Sequence, residues 1–276
     1  MEQNLQQVKE LISDAEYVLV GLGSRIEKNI ENEEKIFKPL ADLGVHNRSS
    51  LDNLLNDQEF SDHIYKILAN YYRKTNSLPV YSDLFDLIKD KNYFIISMNT
   101  SEYIFNSELD STKIVMPCGN EGLFQCSHTC TKEVWSNMDY VNSMIDDLPK
   151  MIHRFKTEGR KHAESLYPKC NHCESKAVFN VRSAVDTYVE EGYLPQWQIY
   201  MQWLSRTLNR KLVLIELDVD FDLPSLIRWP FEKNAYINNK ASLIRVNSLY
   251  PQLSEEINGK GISLPLASKQ FLDMVN

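Results

Sequence analysis

The sequence predicts an α/β chain: a parallel sheet with helices on both faces, joined to a small metal-binding module. Three observations carry that prediction. Short apolar, β-branched runs alternate with segments of helical period. The first of those runs stops at Gly-x-Gly, as a buried parallel strand does before a tight turn into a helix. Four of the five cysteines fall in two closely spaced pairs between residues 121 and 182.

The elements follow in order. Residues 2–13 place Leu5, Val8, Leu11 and Ile12 on one stripe, which predicts a helix. The run 15–20 then leads through Gly21 and Leu22 to Gly23 and Ser24, a first strand and its loop. Residues 25–90 are rich in charge and Asn, with Ile64, Leu68 and Tyr71 at helical spacing, and predict several helices. Residues 93–98 form a second buried strand ending at Asn99, and 113–116 a third ending at 117–120. A helix over about 196–209 leads to a strand at 211–217, and 242–247 is expected as the last strand. Ligands of such sheets lie at the carboxyl ends of the strands. Here those ends are Gly21–Ser24, Asn99, 117–120 and 218–224.

Composition narrows the function classes. A chain of 276 residues, 43% hydrophobic and 25% charged, can bury a sizeable core and carry a smaller inserted module. The net charge of −8 repels phosphate backbones, so nucleic acid is not an expected partner. The longest apolar runs are too short to span a bilayer, and the N-terminus lacks a basic-then-apolar signal. We therefore expect no membrane partner, a cytoplasmic location and reduced cysteines.

Cys126 and Cys130 form a C-x3-C pair, and Cys170 and Cys173 a C-x2-C pair. Two such knuckles supply the four soft donors of a tetrahedral zinc ion, and with all four positions filled by protein the zinc is structural. The alternatives are four free buried cysteines, or His128 in place of one ligand. Lys169, Lys176 and His172 stand beside the second pair, where positive charge would offset four thiolates. His46, His63, His153 and His162 show no ligand spacing and are expected at the surface.

At the strand ends, Gly21 and Gly23 admit either a close approach of backbone N–H groups to a diphosphate or a tight turn only. Asn99 suits a hydrogen bond to a ribose, or a helix N-cap. Cys118 is either a nucleophile with a lowered pKa or a small buried filler. Asp218, Asp220 and Asp222 begin like a calcium loop, but Leu223 stands where that loop needs Gly and Trp229 where it needs Glu, so calcium is not expected.

With these residues in view, the chain resembles the sirtuin family from about residue 15 onward, and most closely the bacterial macrodomain-associated sirtuins. The resemblance is carried by strand–Gly-x-Gly, strand–Asn and the two cysteine pairs, together with 122–126, 180–182, 186–193, 227–232 and 243–247. It implies a Rossmann-like large domain (1–120 and 183–276, with a helical insertion at about 28–75) and a zinc-binding small module at 121–182. It implies NAD as co-substrate and a protein substrate. For the subclass it implies mono-ADP-ribosylation of a lipoyl-carrier protein related to the glycine cleavage H protein, with a macrodomain protein as a possible partner. Typical sirtuins deacylate lysines instead. Carried over residue by residue, Asn99 matches the Asn near the nicotinamide ribose and Arg182 an Arg of the subclass active site. Gly21, Gly23 and Ser24 match the diphosphate loop.

The chain departs from the pattern at several of these places. Cys118 stands where the family has His and the subclass Gln. Ser101 stands where an Asp follows the Asn by two. Arg25 and Glu27 occupy positions that are usually small, and Asp218 and Asp220 replace two glycines lying against the nucleotide. A lone carboxylate roughly 6 Å from another unit negative charge, at an effective dielectric of about 20, repels it by about 3 kcal/mol. That is about a hundredfold in affinity. Three readings follow: an NAD-dependent protein ADP-ribosyltransferase or deacylase with weakened activity, with Asn99, Arg182 and Cys118 in the catalytic positions and Gly21, Gly23, Ser24, Asn99, Asp218 and Asp220 at the nucleotide; a catalytically degenerate sirtuin fold that acts by binding a protein partner; or a zinc-stabilised interaction module unrelated to NAD, which a different sheet order would mark.

Overall fold

The structure is a computed structural model and describes residues 2–27, 32–161, 165–182, 187–257 and 259–276. Two elements of the sequence reading, His162 and Asp186, lie outside the described residues.

The main sheet has six parallel strands: β1 Tyr17–Leu22, β2 Asn92–Ser97, β3 Ile114–Val115, β7 Leu212–Leu217, β8 Ala241–Val246 and β9 Gly261–Leu264. Their spatial order is β3-β2-β1-β7-β8-β9. The chain moves outward from β1 through β2 to β3, then returns to the other side of β1 with β7. The order therefore reverses between β1 and β7, where a doubly wound sheet opens its crevice. The predicted parallel sheet is thus present. It also extends beyond the strand expected to be last, since β9 adds an edge beside β8.

Because successive side chains of a strand point to opposite faces, the apolar runs supply both faces of the sheet. Val18, Val20, Leu22, Ile95, Val213, Ile215 and Ile244 pack on one face. They meet α1 Glu2–Asp14, α5 Pro79–Ile88 and α9 Ser268–Val275 through Val8, Ile12, Tyr81, Leu84 and Phe271. Leu19, Phe94, Ile96, Leu214 and Leu243 pack on the other. There they meet Tyr200 of α7 Leu194–Ser205 and Phe231 of α8 Arg228–Ile237.

A second core joins the helices that follow β1. α2 Glu33–Phe37, α3 Arg48–Leu55 and α4 Gln58–Thr75 bury Phe37, Leu51, Phe60, Ile64 and Leu68 against α6 Met138–Glu158. Asn47 and Asp57 start α3 and α4 by accepting from the Ser50 and Phe60 amides. A three-stranded antiparallel sheet, order β5-β4-β6, combines β4 Gly119–Cys126, β5 Trp135–Ser136 and β6 Ala177–Val181. Its own apolar cluster holds only Phe124, Ala177 and Phe179 as buried members.

His63 is a correction to the sequence reading, which expected it at the surface. It is buried on α4, hydrogen-bonded through Nε2 to the Tyr140 hydroxyl at 3.0 Å, with its ring 4.2 Å from that of Tyr167. Burial, with Lys176 and Lys66 adding to it, pushes its pKa down to about 3. A histidine kept neutral in the native state takes up a proton only on unfolding, so its contribution is complete above 6.5 and is lost as pH falls from 6.5 toward about 3. We expect urea midpoints of the wild type to fall below pH 6.5, at up to about 1.4 kcal/mol per pH unit. In His63→Gln that part of the slope should vanish; equal slopes in both proteins would show that another group governs the acid limb.

Candidate functional site

The ends of β1, β2, β7 and β8 meet at the sheet reversal. Gly21 and Gly23 are required there by protein packing. A Cβ on Gly21 would lie 2.3 Å from Ile227 Cγ2, and one on Gly23 only 1.8 Å from the Asp218 carbonyl oxygen. The Gly23 amide donates to the Leu217 carbonyl at 2.8 Å, and its carbonyl accepts from Asn99 Nδ2 at 3.1 Å. Asn99 is buried and its backbone amide meets Ser97 Oγ. Glu102, not Asn99, precedes the next helical turn, Tyr103–Asn106, so the side chain of Asn99 ties two strand ends together instead of capping a helix. Ser24 sits half-buried in the turn that follows Gly23.

That turn carries the charge of the site. Asp220 is buried and its carboxylate lies 3.6 Å from Arg25 Nε. Arg25 also reaches Asn247 Oδ1 at 3.4 Å and lies over the Tyr250 ring. Asn247 Nδ2 in turn donates to the Val219 carbonyl at 2.8 Å. Asp218 adopts φ +54°, a conformation natural to glycine. Its carboxylate accepts from the Ser268 amide at 3.4 Å, at the positive end of α9. Each carboxylate thus faces a positive partner, and the repulsion expected of a lone carboxylate is reduced.

The segments 227–232 and 243–247, which carry part of the resemblance, meet in one buried cluster. Arg245 is fully buried, with Nε 2.6 Å from Glu216 Oε2 and Nη1 2.7 Å from Glu232 Oε1. Burial pushes the Glu216 carboxyl up while Arg245 pulls it down. Arg228 and Arg245 donate to the carbonyls of Tyr250 and Gln252, which pins the loop that sets Tyr250 over Arg25.

A second group gathers at the end of β3. Cys118 is buried, and that burial pushes its thiol up to about 11 despite the nearby Arg182 cation. It is a protonated small side chain at neutral pH, the filler reading and not the activated nucleophile. The Arg182 amide donates to the Cys118 carbonyl at 2.8 Å. Its guanidinium meets Glu190 at 2.5 Å and stacks 5.2 Å from the Tyr188 ring centre, while Tyr193 also donates to Glu190. The two groups are linked through Glu121, whose amide donates to the Thr100 carbonyl at 2.7 Å.

Sequence reasoning missed the pair that shapes this second group. Asn180 Nδ2 donates to Gln125 Oε1 and to the Val189 carbonyl, both at 2.8 Å. Gln125 accepts from the Val189 amide and donates to the Thr187 carbonyl. Two buried amides on adjacent strands thereby fold 187–190 over Cys118 and Arg182. The available signal was two carboxamides inside otherwise apolar strands, each of which must find partners when buried.

The four knuckle cysteines come together, with Cys126 Sγ 3.6 Å from Cys173 Sγ and Cys130 Sγ 3.6 Å from Cys170 Sγ. All four sulfurs lie within 4.8 Å of one another. Zn–S bonds of about 2.3 Å in a tetrahedron put sulfurs about 3.8 Å apart, so the donor set fits zinc. His128 is outside the group and its ring bonds Ser175 Oγ at 3.0 Å. Lys176 reaches Glu59 and the Tyr167 ring. No helix among the described residues is long and apolar enough to cross a membrane.

No protein-family model matches this chain. A protein ADP-ribosyltransferase of Staphylococcus aureus is 24% identical over 185 residues, covering 67% of this chain and 56% of that protein. A probable bifunctional ADP-ribose hydrolase/ADP-ribosyltransferase of Fusarium oxysporum f. sp. cubense is 25% identical over 189 residues, covering 64% of this chain and 30% of that one. The matches therefore span about half or less of those relatives. Among solved structures, one from work on sirtuin substrate affinity superposes with a TM-score of 0.54 at 14% identity, covering 98% of this chain and 97% of that one. A Sir2 homologue variant in complex with 2′-O-acetyl ADP-ribose gives 0.53 at 11% identity, covering 98% and 94%. With the six-stranded parallel sheet, the antiparallel sheet beside it and the four-cysteine cluster on one chain, these whole-length superpositions establish that the protein has the sirtuin fold.

Proposed function

We propose that this chain is a sirtuin-type NAD-dependent transferase acting on a protein, of the ADP-ribosyltransferase or deacylase kind, with slow turnover. The observation that supports it best is the convergence of Gly23, Asn99, Asp218 and Asp220 at the sheet reversal. The similarity to two proteins named as ADP-ribosyltransferases favours ADP-ribosyl transfer. In this reading the large domain comprises 1–120 and 183–276 and the small module 121–182, with zinc held by the four cysteines. The subclass likeness makes a lipoyl-carrier protein the substrate to try first. A relative that combines the transferase with an ADP-ribose hydrolase suits a macrodomain partner.

The reaction forms a bond from an acceptor atom to the anomeric carbon of the ribose as nicotinamide leaves with the bonding pair, and the acceptor's proton passes to solvent. Asn99 and Arg182 are the polar groups assigned to orient the sugar and acceptor. Cys118, holding its proton to about 11, supplies no base at neutral pH.

A partner-binding protein without turnover is the second reading, favoured by the engagement of site groups within the protein: Asn247 with Val219 and Arg25, and one Nη of Arg182 with Glu190. NAD calorimetry at moderate salt separates the two. We expect binding weaker than micromolar. Arg25→Ala should weaken it by about tenfold, because Asp220 loses its cation, and Asp220→Asn should tighten it by a similar factor. A micromolar constant for the unmodified protein would overturn the electrostatic account of the loop.

A further inference from the structure

Glu27 follows Arg25 by two in the first loop and takes no part in the Asp220 and Asn247 contacts. It is half-buried in the turn after β1, and its carboxylate reaches inward. Ser101 Oγ lies 2.8 Å from both Glu27 oxygens, and the fully buried Tyr81 hydroxyl donates to Oε1. Ser101 itself is buried, two residues beyond Asn99. The turns after β1 and β2 are therefore cross-linked twice: by Asn99 Nδ2 to the Gly23 carbonyl, and by Glu27 to Ser101. A cation acting on Glu27 is Arg73, which is hydrogen-bonded to Glu121, itself a like charge to Glu27. A carboxylate partnered by two hydroxyls in such surroundings costs stability, because burial disfavours its ion. It does bring one property that a neutral side chain lacks: as an ion it accepts from both hydroxyls at once, fixing both.

We propose that Glu27 is a positioning residue: its ionised carboxylate holds the 99–101 turn through Ser101 and so sets the Asn99 amide for its ligand. The ligand, NAD, rests on the reading given under Proposed function; the cross-link does not. Burial raises the Glu27 carboxyl, with Tyr81, Ser101 and Arg73 opposing and Glu121 reinforcing the rise. On protonation it becomes a donor to one hydroxyl, and the turn loosens. The device thus works above the raised pKa and fails as pH falls through it.

The test uses the full chain. Hydrogen exchange of the Met98 and Asn99 amides, bonded now to Leu22 and Ser97, reads the turn without any ligand. Glu27→Ala should speed it by about tenfold, the loss of one hydrogen bond to a charged group. Ser101→Asp in the same chain, returning a carboxylate to the same space from the other side, should recover most of that protection. Glu27→Gln should show at pH 8 the protection that acidified wild type shows, with no pH dependence left in its protection factors once the intrinsic base-catalysed rate is divided out. NAD calorimetry then repeats the series, with about tenfold weaker binding in Glu27→Ala and Glu27→Gln. Unchanged exchange in Glu27→Ala, or a Glu27→Gln protein matching the wild type at every pH, overturns the proposal. Faster exchange with no NAD binding even in the wild type leaves the positioning role standing and sinks the NAD reading.

Discussion

Cys170→Ser is expected to release the metal and unfold the small antiparallel sheet while the six-stranded sheet survives. The argument is one of magnitudes. Among the described residues, the apolar cluster of that small sheet has Phe124, Ala177 and Phe179 as its buried members, and Cys126 is itself a proposed ligand. Two buried phenylalanines contribute about 3–6 kcal/mol, against an ordering cost of about 1–2 kcal/mol for every residue fixed. A structural zinc ion supplies roughly 10–16 kcal/mol in small zinc peptides at pH 7, and that binding energy is folding energy. Without it β4, β5 and β6 are not worth their entropy. The two apolar clusters that sandwich the main sheet include none of the four ligands. We therefore expect one zinc per chain by elemental analysis after dialysis and rapid amide exchange throughout β4 and β6 in Cys170→Ser. Far-UV signal should fall only partly. Freshly purified protein with well under one equivalent of zinc and four freely titrating thiols would sink the zinc assignment.

How much of this was legible in the sequence depended on what each residue must touch. β1, β2, β7 and β8 are buried on both faces, so they read as largely apolar runs, with the paired Glu216 and Arg245 the charged exceptions. β9 is four residues long at a sheet edge and alternates in burial, a pattern too short to register. β4 and β6 escaped notice because Asn120, Gln125 and Asn180 interrupt them, and those amides are spent on holding 187–190 and the Gly122 amide. His63 was readable in principle. It falls on the helical stripe of Phe60, Ile64 and Ile67, and spacing should have outweighed its polarity. The two glycines of the first loop show the limit: their need for no side chain comes from Ile227 and Asp218, some two hundred positions away. Local pattern recognises that such a loop is tight but not what presses on it. The same holds for Asp218, whose carboxylate meets the Ser268 amide fifty positions on, whereas Arg25 was legible as a counter-charge and the structure sets it against Asp220.

Turnover is where the departures from the family pattern should weigh most. Breaking the bond between ribose and nicotinamide builds positive character at the anomeric carbon, and the site must hold the sugar, exclude water and present an acceptor on the open face. Asn99 is fixed between Gly23 and Ser97, and Arg182 between Glu190 and the Tyr188 ring, so both are held in place, as the proposed role requires. Cys118, whose carbonyl accepts from the Arg182 amide, offers neither an amide to orient the ribose nor a base, because burial keeps its thiol protonated. We expect slow nicotinamide release in the presence of a lipoyl-carrier protein, abolished by Asn99→Ala or Arg182→Ala. Orienting groups of this kind are worth roughly 10²–10³ in rate. Cys118→Gln combined with Asp218→Gly and Asp220→Gly should raise the rate by a comparable factor. The exchange at 118 supplies the missing amide. The two glycines remove negative charge beside the nucleotide, and position 218 already holds a backbone conformation that glycine takes without strain. Losing Asp220 also frees Arg25, whose guanidinium would then have an anion to meet in the ligand itself. Brisk turnover of the unmodified protein that Asn99→Ala leaves unchanged would remove the carried-over site. If the triple variant gains nothing while the chain still binds a carrier protein, the role of the fold here is partner binding.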